Sequence, residues 1–213
     1  MNFRTNLIDL IKDAYLWQYA GISDTKGDAE RKKPRLFFTK TQWFFILTSI
    51  VGVHFIPKGF SNDFAGYTIS GLFLFVGILF TFVLTLYDKF RNIDFSEYNN
   101  EINEEKNKEG IRLKNFFKKI TTLTLYSAVL SIVCVLLLAV TLIFPQMNVE
   151  IQYGLIFESI KRGQICVLAK HIPLVIYRCF LVYFLLNFAL ITVYIISSFY
   201  DYIISEINKI KLS

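Results

Sequence analysis

The residues whose types and spacing could do chemistry gather in one apolar stretch toward the C-terminus. Cys179, Tyr183, Asn187, Tyr194, Ser198 and Asp201 step by four, four, seven, four and three, so a helix would carry them on one face. An amide, phenols and a hydroxyl inside an oily stretch can clamp neighbouring helices through hydrogen bonds, or line a polar pathway. Arg178 begins the same stretch. It lies nine residues from Asn187, about two and a half turns, and so points away from that face. Its long side chain could snorkel toward headgroups as an anchor. The two histidines, His54 and His171, each sit at the end of an apolar run, as interfacial or proton-responsive groups.

The sequence carries no glycine-rich phosphate loop, no paired-histidine zinc motif, no nucleophile elbow and no CxxC. Cys134, Cys166 and Cys179 have neither disulfide nor zinc spacing and read as small apolar residues. The acidic residues cluster in a connector, where holding catalytic geometry is hard. The expectation is a protein that is not an enzyme, with no catalytic residue, cofactor or metal.

The elements that position these residues are four apolar runs, at about 42–56, 64–87, 120–145 and 174–200. A bilayer core about 30 Å thick needs about 20 apolar residues as helix, a length the last three runs meet. The first is shorter and ends at Pro57, which cannot continue a helix. Just over half the residues are apolar although 23 are Lys or Arg. That balance suits a membrane protein with charged connectors and argues against a soluble nucleic-acid binder. The start of the sequence lacks the pattern of a secretory signal, since Asp9, Lys12 and Asp13 break its apolar stretch. Counting Lys and Arg on alternate sides of the runs gives 18 against four, Arg178 apart. The positive-inside rule then places both termini and the middle connector in the cytoplasm.

The expected fold is all-α, a polytopic membrane protein with four transmembrane helices and both termini cytoplasmic. Its order is an amphipathic helix and linker at 1–40, membrane helix one at 41–57, and membrane helix two at 64–88. A cytoplasmic helical connector follows at 89–119, breaking at Gly110 into a hairpin, then membrane helix three at 120–145. The outer connector at 146–170 is a strand hairpin or an interfacial helix, because Val149, Ile151, Tyr153, Leu155 and Phe157 alternate while Ile156 and Ile160 are spaced by four. The alternation slightly favours the hairpin. Membrane helix four runs over 171–200, with Pro173 in its first turn, and a cytoplasmic tail over 201–213.

The helix-packing or pore-lining faces are marked by small residues, Gly77 and Thr81 in the second run and Ser127 and Ser131 in the third, and by the polar face of Tyr183, Asn187, Tyr194 and Ser198 in the fourth. In the N-terminal helix, Leu7, Ile11 and Tyr15 share an apolar side suited to docking a partner or lying at a membrane surface.

The length, the cytoplasmic ends, the charged middle connector and the amphipathic start at 3–15 resemble the small four-span membrane proteins of bacterial anti-phage systems. The nearest in layout are the membrane component of Kiwa and the membrane accessory proteins of RNA-targeting CRISPR loci. That resemblance implies a non-enzymatic homo-oligomer in the inner membrane, acting as sensor, scaffold or membrane-perturbing effector in antiviral defence. It implies a soluble cytoplasmic effector as partner, with the lipid bilayer as surroundings and no direct contact with nucleic acid. No residue role is carried across by it. The rival expectation is a small channel or transporter subunit, with Asn187, Tyr194 and Arg178 touching the permeant species.

Overall fold

A computed structural model describes residues 3–18, 40–94, 104–162 and 165–207. Among them every regular element is helical: α1 (Phe3–Trp17), α2 (Lys40–His54), α3 (Asn62–Arg91), α4 (Glu104–Ile143), a 3₁₀ turn (Pro145–Asn148), α5 (Tyr153–Arg162) and α6 (Ile165–Ile207). Three helices are long and apolar enough to cross a membrane, within α3, α4 and α6. The windows of α3 and α6 are only 17% and 22% buried, against 44% for α4. The apolar residues of α3 and α6 therefore face outward, as lipid-bathed helices must. Among the exposed hydroxyls, Ser70, Thr81 and Thr85 each donate to the carbonyl four residues back, so they are satisfied without water.

Several expectations need correction. At 15 residues, about 22 Å long, α2 falls short of the length that α3, α4 and α6 meet. The connector at 89–119 has no turn at Gly110. α4 runs unbroken through that buried glycine, because the packing of Phe116, Phe117 and Ile120 outweighs a glycine penalty of about 1 kcal/mol. The chain between α3 and α4, at 95–103, lies outside the described residues, as do the linker at 21–33 and the end of the tail. The outer connector is not a strand hairpin. Residues 153–162 are helical, and the return strand expected at 165–168 is the first turn of α6. The four-residue spacing won: as a helix the segment satisfies its backbone within itself, and the described residues hold no strand for it to pair with. Pro173 lies inside α6, eight residues past its start, where its missing N–H leaves the Ala169 carbonyl without its helical donor.

The chain forms two compact units. One comprises Met1–Arg35, Gly77–Val129 and Leu190–Ser213. Its core is Leu86, Phe116, Phe117 and Ile120, surrounded by Phe82, Phe90, Leu113, Phe199 and Tyr202. The Phe116 ring stacks on Tyr202 at 3.9 Å and 15° and meets Phe199 edge-on at 5.6 Å. α1 buries Ala14 and Trp17 in this unit.

The other unit comprises Leu36–Val76 and Leu130–Ala189. Phe60, Ala65, Leu72, Cys134, Val135, Leu138 and Leu181 form its core. Phe75 meets Phe188 edge-on at 5.1 Å. Ser61 caps α3, its hydroxyl accepting from the Phe64 N–H at 3.1 Å, while Phe60 before the cap packs with Ala65 in a hydrophobic staple.

Candidate functional site

The most unusual polar group in the molecule is the guanidinium of Arg178, only 1% exposed. It does not snorkel. Nη1 donates to the carbonyls of Ile56 at 3.3 Å and Pro57 at 2.8 Å, and Nη2 to those of Met147 at 2.8 Å and Val149 at 2.9 Å. Its four partners are backbone oxygens, not carboxylates. A charge taken out of water costs several kcal/mol unless it is well bonded, and bonds to a charged donor return about 1.5–3 kcal/mol each. The planar fork suits this task, since it presents several donors at fixed angles that a lysine cannot match.

The local sequence explains why carbonyls are available. Pro57 ends the helical run, and the chain turns through Gly59 before α3, leaving the Ile56 and Pro57 carbonyls outside any helix. Gly59 has φ +79°, and a Cβ there would stand 2.8 Å from Nη2 of Arg178 and 3.2 Å from Oδ1 of Asn148. Only glycine fits, on both conformation and space. On the other side, the 3₁₀ turn exposes the Met147 and Val149 carbonyls toward Arg178. Two further bonds close the clasp: Ile151 N–H to Pro57 O at 2.8 Å, and Asn148 Nδ2 to Asn62 Oδ1 at 3.3 Å. Tyr153 extends it, its hydroxyl donating to Val53 O at 3.0 Å with its ring 4.8 Å from that of His54. Burial raises the Tyr153 phenol above its ordinary range, while the Arg178 charge pulls it the other way.

The clasp thus ties three stretches, 53–62, 147–153 and the Arg178 turn of α6, with Arg178 bonding both of the others. Chemically it is a set of donors paired with main-chain acceptors, with Nε of Arg178 and Oδ1 of Asn148 left buried and without a partner among the described residues. It holds backbone together.

The other expected site residues divide by exposure. Ser127, Ser131, Asn187 and Ser198 are buried, as are Thr124, Cys134 and Thr141 on the same face of α4 as the two serines. Tyr183 and Tyr194 are half-buried. Gly77 and Thr81 are exposed, so their stripe on α3 is not a packing face within the chain. Asn187 is 2% exposed, and its Oδ1 has no partner among the described residues. Cys179 is a half-buried free thiol, and the side chain of Cys166 lies outside the described set. His54 is exposed and His171 half-buried. On α1, Ile11 and its neighbour Ile8 are exposed, and Leu7 and Tyr15 are half-buried.

Sequence reasoning missed Gly59, Asn148 and Tyr153. The run Pro57-Lys58-Gly59 is a turn signal, yet nothing in it says that an arginine about 120 residues later will bond the turn's carbonyls. Neither a family model, a curated protein nor a solved structure matches the chain.

Proposed function

We propose that the chain crosses a bacterial inner membrane four times, with both termini cytoplasmic, and acts there as an oligomeric, non-catalytic sensor or scaffold for a soluble partner. Anti-phage defence is the setting its layout suggests.

The fourth crossing is α2. Its buried residues are Gln42, Ser49 and Val53, while Trp43, Phe44, Leu47, Ile50 and Val51 are exposed. A water-facing helix shows the reverse pattern, apolar inside and polar outside. The extra length needed comes from local thinning of the bilayer and from the flanking Phe55 and Ile56. With four crossings the count of Lys and Arg favours cytoplasmic ends.

The observation that favours a scaffold over a pore is the burial of Asn187 and Ser198. At these two positions the polar face of α6 is taken up by packing within the chain, while Tyr183 and Tyr194 on the same face are half-buried. The exposed Ile8 and Ile11, beside half-buried Leu7, offer the surface on which a cytoplasmic partner would dock.

Reconstitution tests the choice. Wild-type protein in nanodiscs should assemble beyond a monomer, and in planar bilayers should pass no ionic current. A conductance abolished by Asn187→Leu with assembly intact would instead establish the channel reading. Cells expressing the protein with its genomic neighbours should plate phage less efficiently than cells carrying an I11D variant.

A further inference from the structure

We infer that α5 is a lipid-binding helix, lying in the headgroup layer with Phe157 and Ile160 among the acyl chains and Lys161 against the phosphates. The inference rests on the membrane reading above and adds a site to it.

The start of α5 is fixed at the level where the apolar helices stop. Tyr153 bonds Val53, one residue before the end of α2, and Ile151 bonds Pro57 in the link between α2 and α3. The 3₁₀ turn leading into α5 begins one residue beyond Ile143, the last residue of α4, with Phe144 between them. A helix starting at this height begins at the boundary between hydrocarbon and headgroups.

The helix then presents three sectors. Ser159, 3% exposed, faces the rest of its unit. On one flank of it stand Phe157 and Ile160, exposed to 62% and 59%, with half-buried Ile156. On the opposite flank stand Gly154, Glu158, Lys161 and Arg162, all exposed, with Leu155, 46% exposed, between them and Ser159. In water the helix would have turned Phe157 and Ile160 inward and Ser159 outward. Three sectors meet three surroundings: protein, oil and headgroups. This is the arrangement of a helix lying in the interface, its apolar side about 5–10 Å into the headgroup and acyl boundary.

The basic residues agree with that. Glu158 pairs with Arg162 at 3.8 Å, which leaves Lys161 as the excess charge. Its ammonium stands 4.6 Å from the centre of the Phe157 ring, at the seam between the apolar and polar flanks. There it can meet a lipid phosphate while its stem and the ring stay in the oil.

Tryptophan quenching in vesicles of phosphatidylcholine, brominated high or low on the acyl chain, tests this. The native Trp43, exposed on α2, reports the membrane reading, and F157W reports α5. We expect Trp43 to be quenched in a Trp17→Phe background, which removes the emission of the other tryptophan. The emission added by F157W should be blue-shifted and lost more with bromine high on the chain than low. I160W should behave alike, which guards against one variant folding poorly. Added emission that neither lipid quenches, with Trp43 still quenched, would overturn the inference and leave the membrane reading standing. Cross-linking of F157C to a second copy would then identify protein as the occupant. Trp43 escaping quenching as well would end both. When phosphatidylglycerol replaces part of the phosphatidylcholine, the F157W shift should grow, and Lys161→Gln should remove that increment; identical spectra in both lipids would overturn the role given to Lys161.

Discussion

Replacing Arg178 with methionine asks whether its four bonds or its desolvated charge dominates. Methionine keeps much of the aliphatic stem and removes every donor. The Ile56 carbonyl still accepts from Gly59 N–H at 3.1 Å, and the Pro57 carbonyl from Ile151 N–H at 2.8 Å. Met147 and Val149 lose the guanidinium. An acceptor left dry costs about 1–3 kcal/mol, so the pair sums to about 2–6 kcal/mol. Because Val149 is an exposed residue and Met147 a half-buried one, the expected loss is the lower part of that range, about 2–3 kcal/mol. For a chain of this length that is a fall in Tm of about 4–12 °C. Thermal scans in detergent micelles can follow it, with a thiol-reactive dye reporting release of buried Cys134. Arg178→Lys retains the charge and some donors, and should lose less than Arg178→Met. If the desolvated charge dominated, the order would invert: methionine would be neutral or stabilising and lysine the worse of the two. That inversion would refute the reasoning.

Gly59→Ala should cost about 1–2 kcal/mol from its positive φ alone, and more from the approach to Nη2. In a double-mutant cycle with Arg178→Met the steric part should vanish, giving a coupling of at least about 0.5 kcal/mol; strict additivity in chemical denaturation would contradict the clasp. Phe116→Ala removes the centre of the other unit's core and should cost about 3–5 kcal/mol, read as an early transition in thermal scans. Asn187→Leu removes a buried acceptor that has no partner among the described residues, so stability should hold or rise; a loss above about 2 kcal/mol in the same denaturation assay would show an essential bond. The raised Tyr153 phenol makes the folded state hold its proton longer than the unfolded state does. Its contribution is therefore complete below the ordinary tyrosine range and falls as pH rises through and above that range. Unfolding followed up an alkaline series should show this decline in the wild type and a weaker one in Tyr153→Phe.

What could be read from residue order followed from physics that is local. Three long helices came directly from unbroken apolar runs, since a membrane crossing needs only length and hydrocarbon. The α4 stripe of Thr124, Ser127, Ser131 and Cys134 is spaced to share one face, and the structure places it in the interior. The like stripe of Gly77 and Thr81 on α3 has the same spacing and stays exposed, because small residues alone do not say which face meets a neighbour. Gly110 and Pro173 are breakers by propensity, and both sit inside helices where neighbouring packing overrides propensity. The clasp was illegible for a deeper reason. Its acceptors are main-chain carbonyls, which every residue possesses, so no side-chain pattern could mark Ile56, Pro57, Met147 and Val149 as partners of Arg178.

The most direct measurement is the sidedness of three positions. Compartment-sensitive reporters would be fused at the N-terminus, after Lys58 in the link between α2 and α3, and at the C-terminus. Four crossings require the two ends to report cytoplasm and the Lys58 site to report the opposite side. If the ends fell on different sides, α2 would not cross and the chain would be a three-span protein.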